Sequence, residues 1–424
     1  MLRKYHLFLI SFLCVFIYEL VMIFFGLQGV SLVKMVVTVL LWASVLIAFV
    51  ELKEKFGFVK RIIPRPALAL YILLLIWNIV SVLRSLIFRD DTVTTILGNY
   101  TTSLALLVPF ALVFSLREHN LYLLLRFFIG LIYVGMAFAF ISLVFRGTSI
   151  ANYTMPATML LLSPVVFLIT QWPYLEKRNR FLLVFAAVLL FIVAYLWGTR
   201  TMMIRELLLF IALFPILLFH KYRSRWMFYL VFISLLSPFA LMQQGIVTGV
   251  SPFERYLSDE DDLSTDTRSF LYIELYQDLL ENDRLLIGKG ATGKYYSDYF
   301  SRAEGDASMR INMEVGILGV VMKGGIIAAF LHLAVLFLAI FYAFFRSRNS
   351  FVVGAGFILF VHTLLLFLEN VIRYSSYNFL IWFFVGICLS KQMRRLSNSD
   401  LKNLLRHKKF RRPAKVSQAS MYHI

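Results

Sequence analysis

Residues 67–87 read ALALYILLLIWNIVSVLRSLI, 21 residues with a single charge at Arg84. A helix rises about 1.5 Å per residue, so this run reaches across a hydrocarbon layer of about 30 Å. Leu7–Phe25, Val30–Val50 and Phe181–Trp197 are runs of the same kind. The whole chain is 60% hydrophobic and only 16% charged, where a soluble domain carries about a quarter charged residues. Its 42 Phe and 21 Tyr are spread through the apolar runs. These features predict an all-α, polytopic integral membrane protein of about 12 transmembrane helices. The expected spans are 7–25, 30–50, 67–87, 102–117, 122–145, 154–172, 181–198, 201–219, 226–243, 315–345, 351–369 and 375–390. The opening Met1-Leu-Arg-Lys and the run after it mimic a signal peptide. The run is long, lacks a small-residue cleavage site and is followed at once by another, so it reads as the first helix.

The net charge of +18 would suggest nucleic acid in a soluble protein. Here the basic residues lie in short loops between apolar runs, so topology accounts for them and no nucleic acid is expected. Segments 1–6, 51–66, 117–121, 173–180, 220–225, 346–350 and the tail from Lys391, with Arg126, hold 27 of the 42 Lys and Arg. The positive-inside rule then places both termini in the cytoplasm. The expected organisation is helices one to nine in 1–243, an external loop at 244–310, helices ten to twelve in 311–390 and a basic cytoplasmic tail at 391–424. That tail is expected to be drawn to anionic headgroups.

The 244–310 loop carries 13 of the 24 acidic residues. Within it Thr265-Asp266 can cap a helix, and Leu271, Leu275 and Leu279 recur at helical spacing from Arg268 to Leu280. This predicts an amphipathic helix on the membrane surface. Asp259–Asp262 reads as a solvated acidic turn, because nothing fixes ligand geometry. Cys14 and Cys388 lie in apolar runs and read as packing residues, so neither a disulfide nor a metal site follows. No cofactor is expected.

Glu19, Lys34, Arg84, Arg200, Arg205, Glu206, Lys323, Glu369 and Arg373 lie in or beside apolar runs, all toward the outer half of the membrane. Snorkelling or local pairing would explain any one of them, and Glu19 and Lys34 are placed to pair with each other. Nine together, rich in Arg, predict a shared polar cavity for an anionic ligand. His332 and His362 fall within spans and read as packed side chains, with a proton relay as the alternative. Gly316, Gly319, Gly324 and Gly325 predict a break near the start of the tenth span.

Three stretches carry the functional signal. GTRTMMI (198–204) opens a span. Thr267-Arg268-Ser269 precedes the amphipathic helix, which runs on to LLIGKGATG (285–293). DASMRINMEVGILG (306–319) leads into the tenth span. In order, spacing and sidedness they resemble the superfamily of bacterial O-antigen polymerases and O-antigen ligases. By motif the resemblance covers the chain from about residue 180 onward, and by hydropathy the remainder.

The resemblance implies a membrane glycosyltransferase of the bacterial cytoplasmic (inner) membrane. Its donor would be an oligosaccharide on a polyprenyl diphosphate, and its partners membrane lipids and other glycan-assembly proteins. Arg200 and Arg268 match the family's two external arginines and are expected to stabilise charge on the departing diphosphate. Arg205, Arg310 and Arg373 are further candidates for binding substrate. Asp306, Glu304 or Glu314 would take the acceptor proton, although Glu314 also reads as a carboxylate favouring a helix N-terminus. Gly288 and Gly290 would let backbone approach a phosphate or sugar, with an ordinary turn as the plain alternative. Tyr295, Tyr296, Tyr299 and Phe300 read as loop packing, with sugar stacking as the alternative. Family ligases carry a histidine just before the Glu-x-Gly-x-x-Gly lead-in, where this chain has Gly305-Asp306-Ala307-Ser308. That favours a polymerase over a ligase. A flippase or transporter is the third reading, and the missing internal repeat and the long one-sided loop count against it.

Overall fold

The computed structural model describes residues 7–25, 32–87, 104–116, 121–144, 154–196, 205–211, 213, 216, 269–297 and 309–406. Among them every extended element is helical, and the lone β pairing is a bridge between Tyr295 and Arg310. The helices are α1 (Leu7–Phe25), α2 (Leu32–Ile62), α3 (Arg65–Ile87), α4 (Leu121–Val144), α5 (Thr154–Thr170), α6 (Lys177–Leu196), α7 (Ser269–Glu281), α8 (Gly316–Arg346), α9 (Ser350–Leu365), α10 (Ser376–Leu389), α11 (Lys391–Arg395) and α12 (Asn398–Arg406). A 3-10 segment, Leu104–Leu116, lies between α3 and α4. The expected spans 201–219 and 226–243 fall largely or wholly outside the described residues, as do 244–268 and 298–308 of the expected loop.

Among the described residues, four stretches are long and apolar enough to cross a membrane: Arg65–Ser85, Leu121–Ile141, Lys177–Leu196 and Gly316–Arg346. Their surfaces agree with that reading. Leu73, Ile76, Val80 and Leu83 form an outward stripe on α3, and Phe330, Phe337, Phe341 and Phe345 form one on α8. In water such stripes would aggregate, whereas in lipid they face their natural solvent. The chain is a helical membrane protein.

The centre of the bundle is α9 and α10, in which every residue is buried. They are apolar all round, as a helix enclosed on every side must be. Around them pack α8, α5 and the 3-10 segment, with α1 against α10 and α3 against α8. The 3-10 segment resolves the shortness of the expected fourth span. At a rise of about 2.0 Å per residue its 13 residues cover about 26 Å, close to a full crossing. Pro109 sits inside it and has no N–H to give to the carbonyl three residues back. That carbonyl belongs to Leu106, and the Asn78 amide donates to it instead at 2.7 Å. Close packing against α10 requires Gly386, where an added Cβ would lie 2.6 Å from the Leu112 carbonyl.

Residues 51–66 were expected to be a loop, but α2 continues through most of them to Ile62. Glu51 and Lys55 form a buried i,i+4 ion pair, and Lys60 and Arg61 sit where the helix dipole favours cations. Pro64 then ends the run, and Pro66 falls in the first turn of α3, where its missing N–H costs nothing.

The end of the bundle near Asn398 is closed by side chains. Asn349 is fully buried and caps α9 by accepting the Val352 N–H at 2.9 Å. Its amide nitrogen donates to the carbonyls of Met393 (2.8 Å) and Leu396 (3.0 Å). Asn349→Ala leaves three buried backbone groups without partners. It is expected to lower stability by about 2–3 kcal/mol, read as thermal unfolding of the purified protein in detergent.

Candidate functional site

The opposite end of the bundle gathers the stretches singled out in the sequence. Helix α7 forms at its expected place. Leu271, Leu275 and Leu279 recur every fourth residue and are buried, while Ile273, Tyr276 and Leu280 form an exposed apolar face. The helix ends with Arg284 N–H on the Leu279 carbonyl at 2.8 Å and Asp283 in the left-handed region, φ 54°. Aspartate is among the few residues that adopt this conformation readily.

The chain then runs from Leu285 to Gly290 across a break in α8. Gly325 has φ 72° and ψ −175°, which no helix accommodates. Two successive i→i−4 bonds are lost there, those joining Ile326 N–H to Met322 and Ile327 N–H to Lys323. Each of the four groups finds a partner in the turn. Lys289 N–H donates to the Met322 carbonyl at 2.7 Å, and Gly290 N–H to Lys323 at 2.9 Å. Ile326 N–H donates to Leu285 at 3.0 Å, and Ile327 N–H to Leu286 at 3.4 Å. The Gly324 carbonyl accepts from Trp77 Nε1 at 2.7 Å. Irregular backbone survives in an apolar layer only when protein satisfies it in this way. Arg84 fastens the turn to α3, donating to the carbonyls of Ile287 (2.7 Å) and Gly288 (2.8 Å).

Gly288 and Gly290 lie in a turn, the plain alternative for them, and closely approach other parts of the protein. A Cβ on Gly288 would lie 2.5 Å from Gly325 N, and one on Gly290 would lie 2.5 Å from Ser85 Oγ. Both glycines also have positive φ. They are there because two backbones touch.

The second feature is the corner between α9 and α10. The Glu369 carbonyl accepts the Gly316 N–H at 3.0 Å, and the Leu366 carbonyl accepts the Ile317 N–H at 2.8 Å. The corner therefore caps the start of α8. A Cβ on Gly316 would lie 3.0 Å from the Glu369 carbonyl, which accounts for glycine at that place in the Glu-x-Gly-x-x-Gly stretch. On the α7 side, the Tyr272 hydroxyl donates to the Phe367 carbonyl at 3.0 Å. Glu19 accepts the Ser376 N–H at the start of α10, at 3.1 Å. The side chain of Lys34 is outside what the structure describes.

At this corner the Glu369 carboxylate meets Arg205. Arg205 Nη1 lies 3.2 Å from Glu369 Oε1, while its Nε and Nη2 both lie 3.2 Å from Glu206 Oε1. Arg205 and Glu206 are buried. Arg205 was expected to bind an anionic substrate; in the structure all three of its nitrogens are engaged by carboxylates. Tyr377 and Arg373 lie within electrostatic reach of this group, and the Arg373 side chain is exposed. Arg373 thus remains open to an anion. Glu369 itself was noted in the sequence only as one of nine membrane charges. The signal was a carboxylate beside an apolar run.

Arg310 is half-buried and pairs through its backbone with Tyr295, with N–H to carbonyl distances of 2.8 and 2.9 Å. Glu314 is half-buried and stands just before the residue that precedes α8. Tyr295 is fully buried and Tyr296 exposed. His332 packs edge-on against Trp382 and His362 tilts against Tyr377. Arg200, Arg268, Asp306, Glu304, Tyr299 and Phe300 lie outside the described residues. Between the 3-10 segment, α8 and the corner is a cavity of about 10 Å³, lined by Leu106, Met313, Val320, Lys323, Asn370 and Ile372. That is room for about one water. Among the described residues no three His, Cys, Asp or Glu are grouped to hold a metal. No protein-family model matches the chain, and no curated protein matches it.

Proposed function

We propose that this protein joins polyprenyl-diphosphate-linked oligosaccharide repeat units into a surface polysaccharide on the outer face of the bacterial cytoplasmic membrane. One observation carries the reading. The described parts of two stretches that resemble the O-antigen polymerase and ligase superfamily, and the residue that follows a third, gather at one end of the bundle. Arg205, just after the first, holds Glu369. The Leu285–Gly290 turn of the second fills the break in α8. Gly316 of the third is capped by the Glu369 carbonyl.

On this reading the bundle has twelve spans with both termini in the cytoplasm, and the α7 side faces outward. The basic loops at the Asn398 end follow the positive-inside rule. The exposed face of α7, with Ile273, Tyr276 and Leu280, lies in the interface where lipid-linked sugars arrive. Arg200 and Arg268 hold the donor diphosphate, and exposed Arg373 adds positive charge beside it. As the glycosidic bond to phosphate breaks, the electron pair stays on the diphosphate oxygen. Guanidinium groups fixed near that oxygen stabilise the charge.

A transporter would also use a broken helix. In transporters, however, the freed helix ends face a substrate or ion. Here the groups freed at Gly325 are taken by the Leu285–Gly290 backbone, which argues for a rigid frame over a moving gate.

Arg268→Ala tests the reading in cells through surface glycan sorted by length. The expected result is single repeat units in place of a ladder, with polymerisation down at least about 100-fold. Full-length lipid-linked chains that never reach lipid A core would indicate a ligase. Repeat units stranded in the inner leaflet would indicate a flippase, and an unchanged ladder would remove Arg268 from the site.

A further inference from the structure

We infer that Glu369 is the general base that takes the proton from the acceptor sugar hydroxyl. The inference rests on the polymerase reading and adds to it the residue that activates the acceptor.

The two carboxylates on Arg205 differ. Glu206 engages two guanidinium nitrogens and is buried. Glu369 engages one, through Oε1, and its side chain is 13% exposed. Its other oxygen, Oε2, is buried and has no hydrogen-bond partner among the described residues. A buried carboxylate oxygen without a donor is costly and calls for an explanation. A sugar hydroxyl brought to the corner supplies the donor. Because Glu206 keeps Arg205 in place, Glu369 can turn about its single tether without leaving the guanidinium uncompensated.

The backbone of Glu369 is fixed. Its N–H donates to the Leu365 carbonyl at 2.8 Å, and its carbonyl takes the N–H groups of Gly316 and Val371 at 3.0 and 2.9 Å. A base held on a rigid corner keeps its aim. The same corner receives Tyr272 of α7, the helix that follows Arg268 in the chain, and carries exposed Arg373. Glu369, exposed Arg373 and the helix that follows Arg268 in the chain are thus attached to one frame. Glu314, a sequence-based candidate beside Asp306 and Glu304, stands on the lead-in to α8.

The step balances. The acceptor O–H proton passes to Glu369 Oε2, and the acceptor oxygen forms a bond to the anomeric carbon of the donor. The bond from that carbon to the diphosphate oxygen breaks, and its electron pair leaves with the polyprenyl diphosphate. Glu369 then returns the proton to water. The charged or titratable groups facing Glu369 are Arg205 and Glu206 on the 205–211 stretch, Arg373 on the corner and Tyr377 on α10. Glu19 and Tyr272 meet the corner at Ser376 and Phe367.

The test uses full-length protein in nanodiscs with a purified polyprenyl-diphosphate-linked repeat unit, following kcat and KM against pH. Glu369→Gln is expected to lower kcat at least 100-fold with KM changed less than threefold, and to remove the acidic limb of the kcat profile. Glu206→Gln is expected to keep that limb. Glu369→Asp preserves the charge opposite Arg205 and so covers the case in which the glutamine variant fails to fold. It is expected to lower kcat at least tenfold and keep the limb. Wild-type kcat in Glu369→Asp, or an intact limb in folded Glu369→Gln, overturns the assignment while leaving the polymerase reading standing. Wild-type protein that makes no polymer from this donor overturns both.

Discussion

Gly325→Ala is expected to leave little folded protein in the membrane. At φ 72° and ψ −175° the backbone occupies a region open essentially to glycine alone. The new Cβ would lie 2.0 Å from the Leu286 carbonyl oxygen and 2.2 Å from its carbon, so the turn has to move away. Moving it breaks the four backbone bonds that repair α8, in surroundings with no water to replace them. At about 1–3 kcal/mol for each group left unpaired, the loss exceeds about 4 kcal/mol. That is a large part of the roughly 5–15 kcal/mol that holds an ordinary domain together. Membrane abundance and thermal unfolding in detergent measure it. Gly319→Ala is the control, since its Cβ would meet only Met313, at an ordinary 3.7 Å. It should stay within about 0.5 kcal/mol of wild type. Equal effects from the two substitutions would show that the break is not needed.

Arg205→Ala is the second large effect. It leaves the buried carboxylate of Glu206 and the nearly buried one of Glu369 without the cation that joins them. Removing one partner of a buried ion pair costs about 3–5 kcal/mol, because the other charge stays behind. The triple change Arg205→Met, Glu206→Leu, Glu369→Leu removes all three charges together. It is expected to recover most of the lost stability, since apolar replacements of buried ion pairs are often neutral. On the polymerase reading it would still make no polymer. Stability would then return without activity, and a stable Arg205→Ala protein would refute the structural role of the triad.

What could be read from the sequence was whatever burial in lipid or a local period writes into composition. The apolar runs follow from the bilayer as solvent, and α7 follows from leucines at every fourth position. The glycines of the tenth span announced a break. The sequence did not say what fills it, because the partner lies in another element and backbone contacts leave no period. The same holds for Gly288 and Gly290, whose neighbours are Gly325 and Ser85. The 3-10 pitch of Leu104–Leu116 was hidden because a segment apolar on all sides has no favoured period to detect. Arg205 is a case of a different kind. A cation in an apolar run signals that it must be compensated, but not whether by a ligand or by the chain's own Glu206 and Glu369. Three of the residues expected to do chemistry, Arg200, Arg268 and Asp306, lie outside the described structure, so their roles stand on the resemblance.

The grip of Arg84 on the turn sets an order of assembly during synthesis. Its two acceptor carbonyls come 203 and 204 residues later in the chain, and the Gly324 carbonyl taken by Trp77 comes 247 residues later. At about 5–20 residues per second, α3 waits roughly 10–50 s in the membrane before its partners exist. Arg84 sits in the last turn of α3, where a long side chain reaches interfacial water during the delay. The Leu285–Gly290 turn is made next, and α8 last of the three. Helix α8 therefore emerges with two of its own bonds impossible and meets a turn that carries the missing donors and acceptors. Early α3 acts as a template for the turn, and the turn acts as a template for α8.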